Sequence, residues 1–213
     1  MKRVFIIAVI GVLVFTAGSA AWYAGRLRTV RQGGLQAAVR SVGQTADKKL
    51  STMATAARQY ATQNNFNTRF CFLVDMSIAS GEPRFFVFDL KADSIVRRGL
   101  VTHGRCNEQW LADRKYANTI GCGCTSLGRY RIGNPYSGKF GRAYKLAGMD
   151  VTNSNAYARF VVLHAHSCVP EQPVAPDPIC QSDGCPTVAP GFLKELSALL
   201  DKSSKPVLLW IYQ

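Results

Sequence analysis

The spacing of apolar positions divides the chain into three parts. An almost uninterrupted apolar run extends from Val4 to Gly25. Farther along, apolar residues recur at helical spacing from Leu50 to Ala61 with charged residues between them, which predicts an amphipathic helix ending near residues 64–65. From Phe70 onwards the pattern changes to short runs of the kind that form strands.

Short runs rich in aromatic and β-branched residues predict the strands of the domain. A turn signal at residues 80–83 joins the first two runs into a hairpin, and helical spacing predicts a second helix from Phe192 to Leu200. Many strands with few helices indicate a mostly β domain, sandwich-like or barrel-like, with an N-terminal helix and short helices near the C-terminus. The predicted strands are Phe70–Val74, Phe85–Leu90, Ile95–His103, Gly128–Ile132, Tyr144–Leu146, Arg159–His166 and Val207–Tyr212.

The N-terminal apolar run has the layout of an export segment. Lys2 and Arg3 precede it, and small residues from Ala17 to Ala21 follow it, as in a secretory signal peptide. The run is also close to the roughly twenty residues that cross a bilayer. Residues 1–25 are therefore predicted to be either a cleaved signal or a retained membrane anchor. Both alternatives place the protein in the periplasm or cell envelope, and an anchor would attach it to the inner membrane.

The chain is strongly basic, with 26 lysine and arginine residues, 13 acidic residues and a formal net charge of +13. Such a charge favours an anionic partner. The basic residues are scattered singly or in pairs, and no nucleic-acid-binding motif is present. We therefore expect no nucleic-acid partner, and an anionic cell wall suits the charge equally well.

Cysteines are numerous for a chain of this size, which is typical of exported proteins. Because the count of seven is odd, one thiol is expected to be free, and such a thiol can be reactive. The other six are predicted to be largely paired. The seven are Cys71, Cys106, Cys122, Cys124, Cys168, Cys180 and Cys185.

Two of these pairings are suggested by position in the chain. Cys168 and Cys180 flank a proline-rich loop, so a bridge between them would close a short loop. Cys122 and Cys124 are too close in sequence to pair with each other without strain. Each is expected to pair elsewhere, with Cys71 and Cys106 as the candidates.

The segment Ser182–Pro186, about twenty residues after His164, carries the sharpest candidate chemistry. A cysteine acts as a nucleophile when its thiolate is accessible and supported by a base or a cation. In this segment the cysteine is Cys185. Gly184, directly before Cys185, lets the backbone approach a substrate, and a histidine at a strand end, such as His164, is the usual proton acceptor. The competing interpretation is that Cys185 forms a bridge with Cys180 or Cys168. A zinc site is disfavoured because no Cys-x-x-Cys pair occurs, so we expect neither a metal nor a cofactor.

Several ordered segments resemble the L,D-transpeptidase catalytic-domain family, in its murein L,D-transpeptidase-like branch. The resemblance covers about residues 66–212. It is more specific than any single motif, because the pieces occur in the same order. The segments are Phe72–Ser77, Arg84–Asp89, Val101–Gly104, Ser126–Tyr130, Tyr136–Gly141, Asn155–His164 and Ser182–Pro186.

The resemblance implies a mostly β catalytic domain over residues 66–213, after a helical lead-in or stalk over residues 26–65. It implies that Cys185 attacks a peptidoglycan tetrapeptide stem at the L-centre of its diamino acid and forms a thioester, which an amine of another stem then resolves. His164 would take the thiol proton, and the Ala165 carbonyl would orient His164. Backbone N–H groups of Gly184 and Cys185 would form the oxyanion hole, and Ser182 would shape the turn. Stem peptides, and the membrane through the N-terminal segment, are the implied partners.

Three positions depart from the wider family pattern. Asp183 stands where many members have a histidine, Pro186 where many have an arginine or asparagine, and Ala165 where a glycine is common. Because Asp183 replaces that histidine, a potential cation beside the thiolate is missing. The alternatives left open are an L,D-carboxypeptidase or other wall-peptide amidase, a non-catalytic wall-binding module, and an exported disulfide-bonded domain that shares only the fold.

The chain has two histidines besides His164, which are His103 and His166. His164 and His166 point the same way on a strand, and His164 is preferred as the base because it directly follows the apolar run that ends at Leu163. His103 is interpreted as structural, because no nearby nucleophile can be assigned to it.

Overall fold

The structure is a computed structural model that describes residues 48–213. Its centre is one mixed sheet of eight strands, with helix α1 (residues 48–63) before it and helix α2 (Pro190–Leu200) between the last two strands. A 3-10 turn covers Val151–Asn153. The strands are β1 (Phe70–Asp75), β2 (Phe85–Asp89), β3 (Ser94–Gly99), β4 (Gly128–Gly138), β5 (Gly141–Gly148), β6 (Val162–Ala165), β7 (Thr187–Val188) and β8 (Leu208–Tyr212).

Strand order in the sheet is β3-β2-β1-β8-β4-β5-β6-β7. The pairs β1–β8 and β6–β7 are parallel, and the other neighbours are antiparallel. Val101, shortly after β3, forms an isolated bridge with Val188 of β7. The two ends of the strand order are therefore linked by the chain that leaves β3, which gives the sheet a barrel-like closure.

Alternating side chains of β1 supply two cores, because successive residues of a strand face opposite sides of the sheet. Phe72 and Val74 belong to the cluster that α2 covers. Cys71 and Leu73 belong to the cluster that α1 covers, where Leu50 and three alanines of the helix are buried. The amphipathic helix predicted up to residues 64–65 thus packs on one face of the sheet.

The predicted fold class is confirmed, while several element boundaries differ. The strand predicted at Ile95–His103 ends at Gly99. The strand predicted at Gly128–Ile132 continues to Gly138, because β4 resumes pairing with β5 after a register shift beyond Ile132. The strand predicted at Arg159–His166 begins only at Val162, since Phe160 has a positive φ of 56° within a turn. One helix, rather than several, lies near the C-terminus.

Predictions for the signal or anchor (residues 1–25) and for most of the lead-in segment lie outside the described residues. Between residues 48 and 213, helix length and apolarity never reach what a membrane span requires. The 26–65 segment enters the described region at α1.

Candidate active site

The turn at Ser182–Cys185 is shaped by its own side chain. Ser182 Oγ donates a hydrogen bond to the Cys185 carbonyl at 2.7 Å and accepts one from the Gly184 N–H at 3.2 Å. Gly184 has a φ of 105°, and a Cβ built there would lie 2.5 Å from the carbonyl oxygen of Cys124. Only glycine fits this conformation and this close approach, and the turn brings the Cys185 thiol to the surface of the pocket.

A neighbouring segment holds the turn from behind. The Ser182 N–H donates to the His103 carbonyl at 3.0 Å, and the Arg105 N–H donates to the Ser182 carbonyl at 2.9 Å. Thr102 Oγ1 donates to the Cys185 carbonyl at 3.2 Å and accepts from the Thr187 N–H at 3.1 Å. Because backbone groups on both sides are satisfied, the turn has little freedom to shift.

The Cys185 thiol is free and half-buried. Its Sγ accepts a hydrogen bond from the Val162 N–H at 3.4 Å and lies 3.9 Å from the Phe160 carbonyl oxygen. Burial raises the pKa of this thiol, as does the Asp183 carboxylate, whereas the Val162 N–H and the charge of Arg159 lower it. The bridge with Cys180 or Cys168, the competing interpretation of Cys185, is absent from this structure.

His164 lies on β6, between β5 and β7. Its Nδ1 is 3.1 Å from the Ala165 carbonyl oxygen, which can only accept, so Nδ1 carries the proton. Its Nε2 therefore accepts a hydrogen bond from Thr187 Oγ1 at 3.0 Å. Burial lowers the pKa of His164, so the ring is neutral near pH 7 and its Nε2 is the basic nitrogen.

Thiol and imidazole line one open pocket of about 440 Å³. Among the described residues the thiol and the imidazole Nε2 are hydrogen-bonded to other groups: the thiol to the Val162 N–H and the Phe160 carbonyl, and Nε2 to Thr187. Phe140, from the tip of the β4–β5 hairpin, stacks on His164 with ring centroids 4.6 Å apart. The pocket is also lined by Thr102, Arg105, Gln109, Trp110, His166, Cys168, Cys180, Gln181, Ser182 and Asp183.

His166, the alternative base, and His103, interpreted as structural, differ in their surroundings. His166 also lines the pocket, but it is exposed and its Nδ1 accepts the Cys168 N–H at 3.1 Å. His103 lies behind the turn, buried against Arg84 and Gln181. Burial and the Arg84 charge lower the pKa of His103 to about 4, so its ring is neutral. His103 belongs to the segment that holds the Ser182–Cys185 turn from behind.

Disulfide pairing is partly as predicted. The Cys168–Cys180 bridge is confirmed, and Cys124 pairs with Cys106. Four of the six cysteines are thus paired. The prediction that Cys122 also pairs is wrong, because Cys122 and the candidate partner Cys71 are free. Cys71 is on the β1 side that faces α1, in a cluster without a second cysteine, and burial raises its pKa to about 12. Cys122 instead accepts the Cys124 N–H at 3.3 Å.

Sequence reasoning missed several groups that surround the thiol and the imidazole. Thr187 holds the imidazole, Phe140 covers it, and Arg159 acts on the thiol. Thr187 lies only two residues after the cysteine, so its proximity was available as a signal. No spacing in the sequence marked Phe140 or Arg159, because the β4–β5 pairing and the turn before β6 bring them to the pocket.

Three described side chains meet around one pocket: a free thiol, a neutral imidazole and a hydroxyl. This combination is typical of enzymes that use a cysteine nucleophile with a histidine base. Between residues 48 and 213, no group of three or more potential metal ligands occurs.

The chain belongs to the L,D-transpeptidase catalytic-domain family, whose model matches residues 43–212. The match therefore includes helix α1 as well as the sheet. No curated protein shows significant similarity to the chain.

Solved structures similar to the chain include the helical cell shape determining protein Pgp2 from Campylobacter jejuni, at 12% identity and a TM-score of 0.41, covering 68% of this chain and 47% of that one. An L,D-transpeptidase from Xylanimonas cellulosilytica is 14% identical, with 72% and 68% covered and a TM-score of 0.37. One from Mycobacterium smegmatis is 12% identical, with 68% and 59% covered and a TM-score of 0.39. The chain spans about half the length of Pgp2. Likenesses this distant transfer no residue role.

Proposed function

We propose that this protein is a peptidoglycan L,D-transpeptidase that transfers an acyl group through a thioester on Cys185. The observation that carries the proposal is the free thiol on a tightly held glycine turn, in the same pocket as a neutral histidine. The donor is the tetrapeptide stem of a wall peptide, and the acceptor is an amine of a second stem. Membership in the family supports a peptidoglycan substrate.

His164 acts as the general base. Its Nε2 accepts the thiol proton once the Thr187 hydroxyl turns away, and Thr187 Oγ1 has a second acceptor, the Cys185 carbonyl, at 3.4 Å. The Ala165 carbonyl keeps the proton on Nδ1 and holds the ring. The thiolate then attacks the amide carbon, and the C–N bond breaks. His164 returns its proton to the amine nitrogen of the departing terminal D-residue. The acyl group stays on Cys185 as a thioester.

Backbone N–H groups of Gly184 and Cys185 stabilise the oxyanion in this proposal. In the resting turn the Gly184 N–H contacts Ser182 Oγ at 3.2 Å, a long bond that a developing negative charge can displace. In this proposal Ser182 therefore shapes the turn and holds the Gly184 N–H in position for the oxyanion. The acceptor amine attacks the thioester, gives up its proton, and restores the thiol.

Mass spectrometry of muropeptides incubated with the full-length chain tests this function. We expect cross-linked dimers, with loss of one terminal D-residue per bond formed, and no product with Cys185→Ala. Hydrolysed tripeptides alone would assign a carboxypeptidase instead. No conversion of any stem, together with no adduct between Cys185 and a carbapenem, would falsify the enzymatic proposal and leave the two non-catalytic alternatives, a wall-binding module and a domain that shares only the fold.

We further propose that the protein works outside the cytoplasm, with residues 1–25 as its signal or anchor. The support is the apolar run between Val4 and Gly25 together with the wall-peptide substrate. Fractionation combined with N-terminal sequencing of the mature protein separates the alternatives. A mature form that begins near Ala21 or Trp22 means a cleaved signal, an intact membrane-bound form means an anchor, and an intact cytoplasmic protein contradicts both.

A further inference from the structure

Arg159 lies directly behind the nucleophile turn, in the segment that leads into β6. Its NH1 group donates hydrogen bonds to the Ala117 carbonyl at 3.1 Å and to Ser126 Oγ at 3.0 Å. Its NH2 group donates to the Cys124 carbonyl. One half-buried guanidinium thus joins the segment before β6 to the loop at residues 117–126.

The carbonyl that Arg159 holds is the one against which Gly184 packs. A Cβ built on Gly184 would lie 2.5 Å from the Cys124 oxygen and 3.2 Å from Arg159 NH2. The residues that follow Arg159 reach the thiol itself, through the Phe160 carbonyl at 3.9 Å and the Val162 N–H at 3.4 Å. Arg159 and its segment therefore enclose the turn and the sulfur from one side.

Among residues 48–213, the charged side chains that shift the pKa of the thiol are Arg159 and Asp183. Arg159 stabilises a thiolate, while Asp183 opposes it from the outer side and is itself paired with Arg105 at 2.8 Å. Tyr130, beneath the site, stays protonated because burial raises its pKa to about 12. His164 is neutral near pH 7 because burial lowers its pKa. A half-buried cation is screened less than one in open solvent.

We propose that Arg159 is a positioning residue that stabilises the Cys185 thiolate by its charge and holds the Cys124 carbonyl behind Gly184. The inference rests on the proposed function, in which Cys185 is the nucleophile. Arg159 takes the place of a cation within the Ser182–Cys185 turn, where Asp183 carries the opposite charge. Because an arginine presents several donors in a fixed plane and a lysine presents a point charge, substitutions can separate the two tasks.

Alkylation of Cys185 by iodoacetamide, followed against pH by mass spectrometry, measures the thiolate directly without any wall peptide. The full-length chain would carry Cys122→Ser, so that the half-buried second thiol does not react. Its disulfides would be left oxidised. In Arg159→Gln we expect the pH midpoint of alkylation to rise by about one unit, so the rate near pH 7 falls about tenfold. The rate at alkaline pH should stay unchanged.

Matched variants distinguish charge from folding. Arg159→Lys keeps the charge and should hold the midpoint within about 0.3 units, at some cost in melting temperature. Ser126→Ala removes one hydrogen-bond partner of the guanidinium and should leave the midpoint unchanged. Arg97→Gln removes an exposed arginine paired with Glu195 on the surface, far along the chain from the turn, and should have no effect.

The outcomes decide the inference separately from the enzyme assignment. A reactive Cys185 whose midpoint is the same in folded Arg159→Gln and in the parent chain overturns the role of Arg159 and leaves the proposed function intact. A Cys185 that reacts at no pH overturns both. If Arg159→Gln does not fold, Arg159→Lys decides, because a midpoint that moves by a full unit while the charge is kept overturns the charge role.

Discussion

His164 shows how a single backbone carbonyl can fix the tautomer of a histidine. The Ala165 carbonyl accepts from Nδ1 and so leaves Nε2 without a proton, where it accepts from Thr187 Oγ1. The ring cannot turn freely because Phe140 stacks on it. His166, two residues later, has the opposite arrangement, because its Nδ1 accepts the Cys168 N–H and Phe140 contacts its ring only edge-on.

We expect His164→Ala to lower the rate of Cys185 acylation by roughly 10²–10⁴-fold, because a general base is lost. His166→Ala is the matched control and should change the rate by less than about tenfold. The measurement is the rate of carbapenem adduct formation by mass spectrometry, on variants first shown to be folded by circular dichroism. A larger loss in His166→Ala than in His164→Ala would mean that the base is misassigned.

The pH dependence of acylation should reflect the lowered pKa of His164. A histidine whose pKa is lowered by burial becomes protonated only at a lower pH than usual. The base therefore stays available below the ordinary value of 6.5, and the acid limb of the rate profile should lie below that value. Acylation rates measured from about pH 4 to pH 9 test this. An acid limb at or above the ordinary value contradicts the burial argument.

Gly184→Ala tests the turn itself. The added methyl would meet a backbone carbonyl 2.5 Å away, at a φ of 105° that alanine rarely adopts. We expect a folded protein with at least about 10²-fold slower acylation, because the thiol and its neighbouring N–H groups are displaced. Gly141→Ala, at a φ of 76° with nothing within 4 Å, is the control for backbone strain alone. Equal losses in both variants would show that strain, and not the contact with Cys124, is responsible.

At the scale of elements, the loop between β6 and β7 is anchored in two ways. The Cys168–Cys180 bridge closes it, and the flanking Val169 and Ile179 are buried in the core that α2 covers. The Ser182–Cys185 turn follows the bridged part of this loop, and both bridged cysteines line the pocket.

Replacing Cys168 and Cys180 together by serine should lower the free energy of unfolding by about 2–4 kcal/mol, since the unfolded chain regains the freedom that the bridge removes. Thermal melting without reductant measures the loss. Cys122→Ser, which removes a free thiol and no bridge, should cost less than about 1 kcal/mol. An unchanged melting temperature in the double variant would indicate that the bridge does not form in the folded protein.

At the scale of the whole molecule, the sheet is stabilised from both faces by helices. On the α2 side, Leu196 is fully buried among β-strand residues, while its neighbour Glu195 is exposed and paired with Arg97. The α1 side is built around small residues, with Ala54, Ala57 and Ala61 all fully buried. Alanines at these positions let the helix approach the sheet closely.

Leu196→Ala should destabilise the protein by about 2–5 kcal/mol, because it removes buried methyl groups and leaves a cavity. Glu195→Ala, on the exposed side of the same helix turn, should cost at most about 1 kcal/mol. Denaturant unfolding followed by circular dichroism compares the two. Similar losses in both variants would mean that α2 does not pack on the sheet as described.

The amino-acid pattern was sufficient for elements whose residues interact locally or face one side consistently. The amphipathic helix, the β1–β2 hairpin, the C-terminal strand and α2 follow from spacing and turn residues, which reflect short-range physics. The bridge between Cys168 and Cys180 also followed, since the two lie close along the chain. The glycine of the Ser182–Cys185 turn could be singled out in the sequence, because its positive φ and close backbone approach are local requirements that favour glycine.

Only the tertiary structure decided which distant residues meet. The parallel pairing of β1 with β8 joins strands from opposite ends of the domain, and no local pattern encodes it. Cys106 rather than Cys71 reaches Cys124, because Cys71 lies buried under α1. Arg159 was expected in a strand, yet the turn that ends at Phe160 directs it behind Gly184. Spacing along the sequence predicts whether a segment forms a helix, a strand or a turn, whereas the packing of segments determines which charge lies beside the thiol.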